Sequence, residues 1–263
     1  MARTLAAAGC VAADDEADEL LAVAPDRAAL DALVARRVAG EPLAWITGRT
    51  VFCGLEVTVA PGVYVPRWQS EALARAAADR LPGRGTAVDL CTGSGAVAMV
   101  LAAARPHAVV LATERDPVAV ACARANGVDV RAGDLDGPLP ADLVGRVDVM
   151  CAVPPYVPGD ALHLLPRDVL AFEPRDALDG GTDGLAVVRR VVDAGTRWLA
   201  PGGWLLVEVG GGQFGPVRSL LATAGFVDVS VLDDGDGDPR AVCGRRAGGA
   251  GVAPGAPGAP TGA

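Results

Sequence analysis

Val88-Asp-Leu-Cys-Thr-Gly-Ser-Gly-Ala-Val97 is the stretch that decides the fold. Its apolar first half reads as a strand, Gly93 and Gly95 as a tight turn, and the small residues after them as the start of a helix. Glycine suits such a turn because it adopts positive φ without steric cost and leaves the backbone bare to a ligand. The first turn of the helix then presents N–H groups with no intrahelical partner. About twenty residues on, a second apolar run, Ala108–Thr113, ends in Glu114. An acidic side chain at that distance can accept hydrogen bonds from ribose hydroxyls. Together the two signals predict a nucleoside-containing ligand bound in a βαβ unit.

Outward from this unit, strand-like and helix-like segments alternate. Strands are predicted at 87–90, 108–113, 128–132, 147–152, 204–209, 227–231 and 240–245, with helices at 70–80, 96–104, 117–125, 185–199 and 215–223. Such alternation dictates an α/β fold with a mostly parallel, doubly wound sheet covered by helices on both faces. Before it, residues 1–40 read as a small helical region of two helices joined at Pro25-Asp26, with Asp26 capping the second. In 41–66, Phe52, Leu55, Val57 and Val59 alternate with polar or small residues around Gly54, which predicts a β-hairpin linker. The main domain then spans 67–246. Residues 247–263 are rich in Gly, Pro and Ala, a composition expected to be disordered.

The formal charge of −9 argues against non-specific nucleic-acid binding and against an anionic membrane surface. Six cysteines are scattered without a C-x-x-C pair, and there are only two histidines. The reading is reduced, packed thiols in a cytoplasmic protein, with no metal site. The start has no basic-then-apolar pattern and no apolar run is long enough to span a bilayer, so neither a leader nor a membrane anchor is expected.

The turn Asp89-x-Cys91-Thr92-Gly93-Ser94-Gly95 resembles motif I of class I S-adenosylmethionine (SAM) methyltransferases; a dinucleotide site prefers a third glycine where Ala98 stands. Further motifs extend the likeness: Glu41-Pro-Leu-x-x-Ile-x-Gly48, Phe52-x-Gly-Leu55, Val65-Pro-Arg-x-x-Ser-Glu71 and Pro154-Pro-Tyr156. Phe172-Glu-Pro-Arg-x-Ala-Leu-Asp-Gly-Gly-x-Asp-Gly-Leu185 is the most distinctive, followed by Leu199-x-Pro-Gly-Gly203, Glu208 and Gln213. From about residue 8 to 246 the chain resembles the HemK/PrmC family of SAM-dependent protein-(glutamine-N5) methyltransferases, in particular the shorter branch seen in actinobacteria.

The resemblance implies a Rossmann-like class I methyltransferase fold, SAM as cofactor with S-adenosylhomocysteine as product, and a release factor's glutamine as acceptor. It implies Asp89, Cys91, Thr92, Gly93, Ser94 and Gly95 around the methionine end of SAM, Glu114 on the ribose, and Asp134 with Leu135 at the adenine. Val153, Pro154, Pro155 and Tyr156 would form the catalytic loop, with Pro154, Tyr156 and Arg67 toward the substrate. Arg67 and Glu71 would brace the loop over motif I. One position departs. The family's loop begins with asparagine, whose side-chain carbonyl accepts one N–H of the acceptor amide, and here that residue is Val153. An amide N–H left unsatisfied in a dry site costs about 1–3 kcal/mol. Three readings stay open at this point: a protein-glutamine methyltransferase, a small-molecule N-, O- or C-methyltransferase whose pocket Val153 shapes, and a SAM-binding protein without catalysis.

Overall fold

The computed structural model describes residues 1–248; the tail expected to be disordered lies, from residue 249 onward, outside the described residues. Ala2–Ala7 (α1), Ala13–Val23 (α2), Arg27–Val38 (α3) and Leu43–Thr47 (α4) pack together and bury Leu5, Ala17, Leu20, Leu30 and Ile46 in a cluster of their own. Asp26 caps α3 as predicted, accepting the Ala29 N–H at 2.8 Å. Two helices are expected before residue 40, and three are present. The extra one, α1, is a six-residue, alanine-rich segment anchored by Leu5, too short to display an amphipathic period. α4 falls inside the segment read as hairpin alone; Pro42 opens it and Gly48, at φ +78°, closes it in the left-handed conformation. The hairpin itself follows, with Arg49–Phe52 (β1) antiparallel to Leu55–Thr58 (β2).

The remainder alternates as expected. Glu71–Arg80 (α5), Thr86–Leu90 (β3), Ala96–Ala104 (α6), Val109–Glu114 (β4), Pro117–Ala125 (α7), Val130–Ala132 (β5) and Val147–Ala152 (β6) form the first half. Arg167–Phe172 (α8), Ala186–Trp198 (α9), Leu199–Glu208 (β7), Phe214–Thr223 (α10), Phe226–Asp233 (β8) and Pro239–Arg246 (β9) complete it. The strands lie in the order β5-β4-β3-β6-β7-β9-β8, and β9 runs antiparallel to both its neighbours. A strand covered on both faces is largely apolar, with alternate residues divided between two layers. On β6, Val149 and Cys151 join α5 and α6, whereas Met150 and Ala152 join α9.

β3 lies between β4 and β6, so the chain winds outward from it in one direction and then the other. In open α/β sheets ligands bind beyond the carboxyl ends of the strands at such a reversal. No helix among the described residues is long and apolar enough to cross a membrane.

Candidate cofactor and acceptor site

A cavity of about 600 Å³ opens at that reversal. Of the residues singled out from sequence, Arg67, Cys91, Glu114, Asp134, Leu135, Val153, Pro154, Pro155 and Tyr156 line it. Asp89, Thr92, Gly93, Ser94 and Gly95 do not; Gly93 is half-buried at the turn and the other four are buried beneath it.

The wall beyond β3 and β4 is organised by Glu114. Its Oε2 accepts the Gly93 N–H at 3.0 Å, and its Oε1 accepts those of Arg115 and Asp116 at 2.7 and 2.9 Å. The carboxylate thereby ties the glycine turn to the end of the neighbouring strand. Gly93 sits at φ +58°, and a Cβ there would meet nothing within 4 Å, so its backbone is bare to whatever approaches. Gly95 is required for another reason. At φ +89° its Cβ would lie 2.7 Å from Cγ2 of Val128, so the glycine serves packing rather than a ligand. Two non-glycine residues on the cavity wall, Cys91 and Leu135, also hold positive φ, at 55° and 46°. Such strain persists only where the surroundings enforce it, and it concentrates at functional sites.

Asp89 lies under the turn, 1 % exposed, and accepts hydrogen bonds from Thr92 Oγ1 at 2.5 Å and Cys151 Sγ at 3.5 Å. Burial pushes its carboxyl up to about 7, with those two donors holding it back. Asp134 accepts from Arg190 Nη2 at 2.7 Å. Glu114 and Asp134 thus offer carboxylate acceptors on the wall beside bare glycine backbone. That set of acceptors fits a ligand bearing hydroxyl and amino donors, as SAM does.

Beyond β6 the chain turns through Val153-Pro-Pro-Tyr156, and this loop is clamped from several sides. The Tyr156 hydroxyl donates to Glu208 Oε1 at 3.2 Å, and its carbonyl accepts Gln213 Nε2 at 2.8 Å. Gln213 also donates to the Asp183 carbonyl at 3.2 Å and accepts the Gly210 N–H at 3.0 Å. The 172–185 segment runs alongside the next residues. Val157 N–H donates to the Leu178 carbonyl at 3.0 Å, and Gly180 N–H to the Val157 carbonyl at 2.8 Å. Gly184, at φ +73°, closes this clamp: a Cβ there would lie 2.2 Å from the Tyr156 carbonyl and 2.3 Å from Gln213 Nε2.

Arg67 reaches the same segment, pairing with buried Glu173 and stacking over the Tyr64 ring at 5.3 Å. The expected brace over motif I is therefore placed elsewhere. Glu71 accepts the Cys53 N–H at 2.7 Å and pairs with Arg75 at 2.6 Å, so it anchors the hairpin turn instead.

Sequence reasoning gave no role to Glu208, Gln213, Gly184 or Arg190. Glu208 did carry a signal, since it is a carboxylate ending an otherwise apolar strand. It is buried, and burial raises its carboxyl, partly offset by the Ser70 and Tyr156 hydroxyls. Burial likewise pushes Tyr64 up to about 12 and raises Tyr156, so both phenols remain protonated donors at neutral pH.

No family model matches the chain. The release factor glutamine methyltransferase of Geobacter sulfurreducens is 41% identical over 224 residues, which cover 83% of this chain and 78% of its own. That of Mycolicibacterium smegmatis is 40% identical over 226 residues, covering 83% and 80%. Among solved structures, the hMettl16 catalytic domain in complex with the MAT2A 3'UTR hairpin 6 superposes with a TM-score of 0.58 at 17% identity, covering 81% of each chain. The Thermus thermophilus 16S rRNA N2 G1207 methyltransferase, in complex with AdoMet and guanosine, gives 0.53 at 22% identity, covering 75% of this chain and 49% of its own. These two share the fold, that of a Rossmann-like class I methyltransferase. An identity of about 40% to the two release factor enzymes over more than four-fifths of the chain shows that it belongs to the release factor glutamine methyltransferase family.

Proposed function

We propose that this chain N-methylates the side-chain amide of a glutamine in a peptide-chain release factor. The observation that carries the reading is the identity of about 40% to release factor glutamine methyltransferases over four-fifths of the chain. The geometry of the loop agrees with it. An amide nitrogen is a weak nucleophile because its lone pair is delocalised, so most of the acceleration must come from orientation. A Pro-Pro-Tyr loop fixed by Gln213, Glu208 and the 172–185 clamp supplies orientation without a mobile part.

Bound SAM supplies an electrophilic methyl group on a sulfonium. In this reading Glu114 holds the ribose hydroxyls, Asp134 and Leu135 the adenine, and Cys91 with the backbone around Gly93 the methionine end. Asp89, Thr92, Ser94 and Gly95 shape that turn from below. Pro154 offers its carbonyl to the acceptor amide and Tyr156 a flat face, while Arg67 keeps the 172–185 segment against the loop. The net charge of −9 favours a protein partner over nucleic acid or an anionic membrane surface, and six scattered cysteines without a C-x-x-C pair favour the cytoplasm as the compartment.

Transfer from labelled SAM to the cognate release factor tests the reading, beside a variant whose Gly-Gly-Gln reads Gly-Gly-Ala. Label is expected on the first protein alone. Because residues 211–213 of this chain are themselves Gly-Gly-Gln, the label must be located by mass. No label on either factor, with SAM binding intact by calorimetry, would sink the glutamine reading.

A further inference from the structure

We propose that Glu208 Oε2 accepts the second N–H of the acceptor amide, from the strand beside Val153, which has no acceptor of its own. The inference rests on the glutamine reading above. A primary amide carries two N–H donors. In a water-poor cavity each needs an acceptor, or the unpaired group costs binding and rate. In the glutamine reading the carbonyl of Pro154, a residue of the cavity wall, serves the first. Val153, partly buried and packed on the core, offers nothing from its side chain for the second.

The register of the sheet places Glu208 where the gap is. Ala152 of β6 pairs with Val207 of β7, so Val153 and Glu208 stand opposite each other one step further along. Alternation puts both on one face: Cys151 and Leu206, two residues earlier on each strand, pack in the same layer as Val153. Neighbouring strands are about 5 Å apart. A carboxylate on β7 therefore reaches the space beside residue 153 from the adjacent strand. Glu208 is 3 % exposed, yet it lines the cavity. Its Oε1 is engaged by the Tyr156 hydroxyl and the Ser70 hydroxyl lies against the same carboxyl, whereas Oε2 is buried with no hydrogen-bond partner of its own. A buried carboxylate oxygen lacking a donor is costly, and an N–H of the acceptor is the donor that completes it.

The groups facing this carboxyl are Tyr156, Tyr64, Ser70 and Arg240. Burial moves its titration above the ordinary carboxylate range. The acceptor is the ionised form, so turnover rises with pH through that titration.

Glu208→Gln, Val153→Asn and the double variant test the proposal, with labelled transfer to the release factor and SAM affinity by calorimetry. Glutamine has nearly the same size as glutamate, and with its oxygen toward Tyr156 it turns an NH₂ donor onto the amide. We expect Glu208→Gln to lower kcat about tenfold to a hundredfold, with SAM affinity within about threefold of wild type. Adding Val153→Asn should recover most of that loss, because asparagine supplies an acceptor from the loop. The acid fall in wild-type kcat should be missing from Glu208→Gln. Wild-type turnover by Glu208→Gln, or no recovery in the double variant while SAM affinity and Tm hold, overturns the proposal and leaves the glutamine reading standing. Absence of label on the glutamine with the wild-type enzyme brings both down.

Discussion

The turn after β3 and the loop after β6 stand at the ends of adjacent strands and line one cavity, yet they are held in different ways. The turn is shaped by partners close in the chain. Thr92 bonds to Asp89 three residues back, Gly93 to Glu114 at a separation of 21, and the Ser94 carbonyl accepts Asn126 Nδ2 at a separation of 32. Tyr156, by contrast, is held by side chains 52 and 57 residues away, on β7 and just before α10. Apart from Cys151 beneath Asp89, one region is fixed within the stretch from β3 to the end of α7. The other exists only once both halves of the sheet have met. The lesson is that SAM binding and acceptor positioning rest on separable supports, so substitutions should be able to damage either alone.

The most damaging way to separate them is Gly184→Ala. Its Cβ would overlap the Tyr156 carbonyl and Gln213 Nε2 in a left-handed conformation. Displacing the loop by even about 1 Å should lower kcat roughly a hundredfold. SAM affinity, measured by calorimetry, should stay within about threefold of wild type. A matching loss of both would show that the two regions are one unit.

Glu114→Ala makes the converse cut. It removes the acceptor of three backbone N–H groups and the proposed ribose partner at once. SAM affinity should weaken about tenfold to a hundredfold, while a saturating cofactor concentration restores most of kcat. Gln213→Ala is a milder form of the first cut. It leaves the Tyr156 carbonyl and the Gly210 N–H without their partner. A fall in kcat of about tenfold is expected, with SAM affinity unchanged.

The smallest effect concerns stability. Asp89 ionises near 7 in the folded protein against an ordinary 3.8, because burial disfavours its charge. Between those values the folded state binds more protons than the unfolded state, so this group's contribution to stability falls as pH rises from about 4 to 7. Asp89→Asn keeps an acceptor for Thr92 and cannot ionise. Its Tm relative to wild type should therefore increase across that window, by about 2–4 °C for each kcal/mol gained. A pH-independent difference would mean that Asp89 does not ionise there.

The same contrast explains what could be read from the chain alone. Strands β3 to β9 and helices α6 and α7 announced themselves through apolar runs, Gly turns and caps, because their signals are local. The motif around Gly93 was legible for the same reason. α1, α4 and α8 were not, since five or six residues are too few to show a period. The roles of Glu208, Gln213 and Gly184 were hidden differently. Each residue was visible in the sequence, but its purpose is a contact with Tyr156 that only the assembled sheet creates. Arg67 and Glu71 show the opposite hazard. Adjacent in one motif, they serve separate places, the 172–185 segment and the hairpin turn.

The last strand has a consequence for how such a chain is made. β7 carries Leu205, Leu206 and Val207 with no exposed surface, sealed by β6 on one side and by β9 on the other. β9 also provides the pairing for β8. A ribosome working from the N-terminus delivers β9 after every other strand of the sheet. Until residues 239–246 emerge, the nascent chain displays an aliphatic edge of unpaired backbone groups, the kind of template on which chains aggregate. A message that stops short of that strand thus yields an adhesive fragment rather than a weakened enzyme, and the last eight residues of the sheet act as its cover.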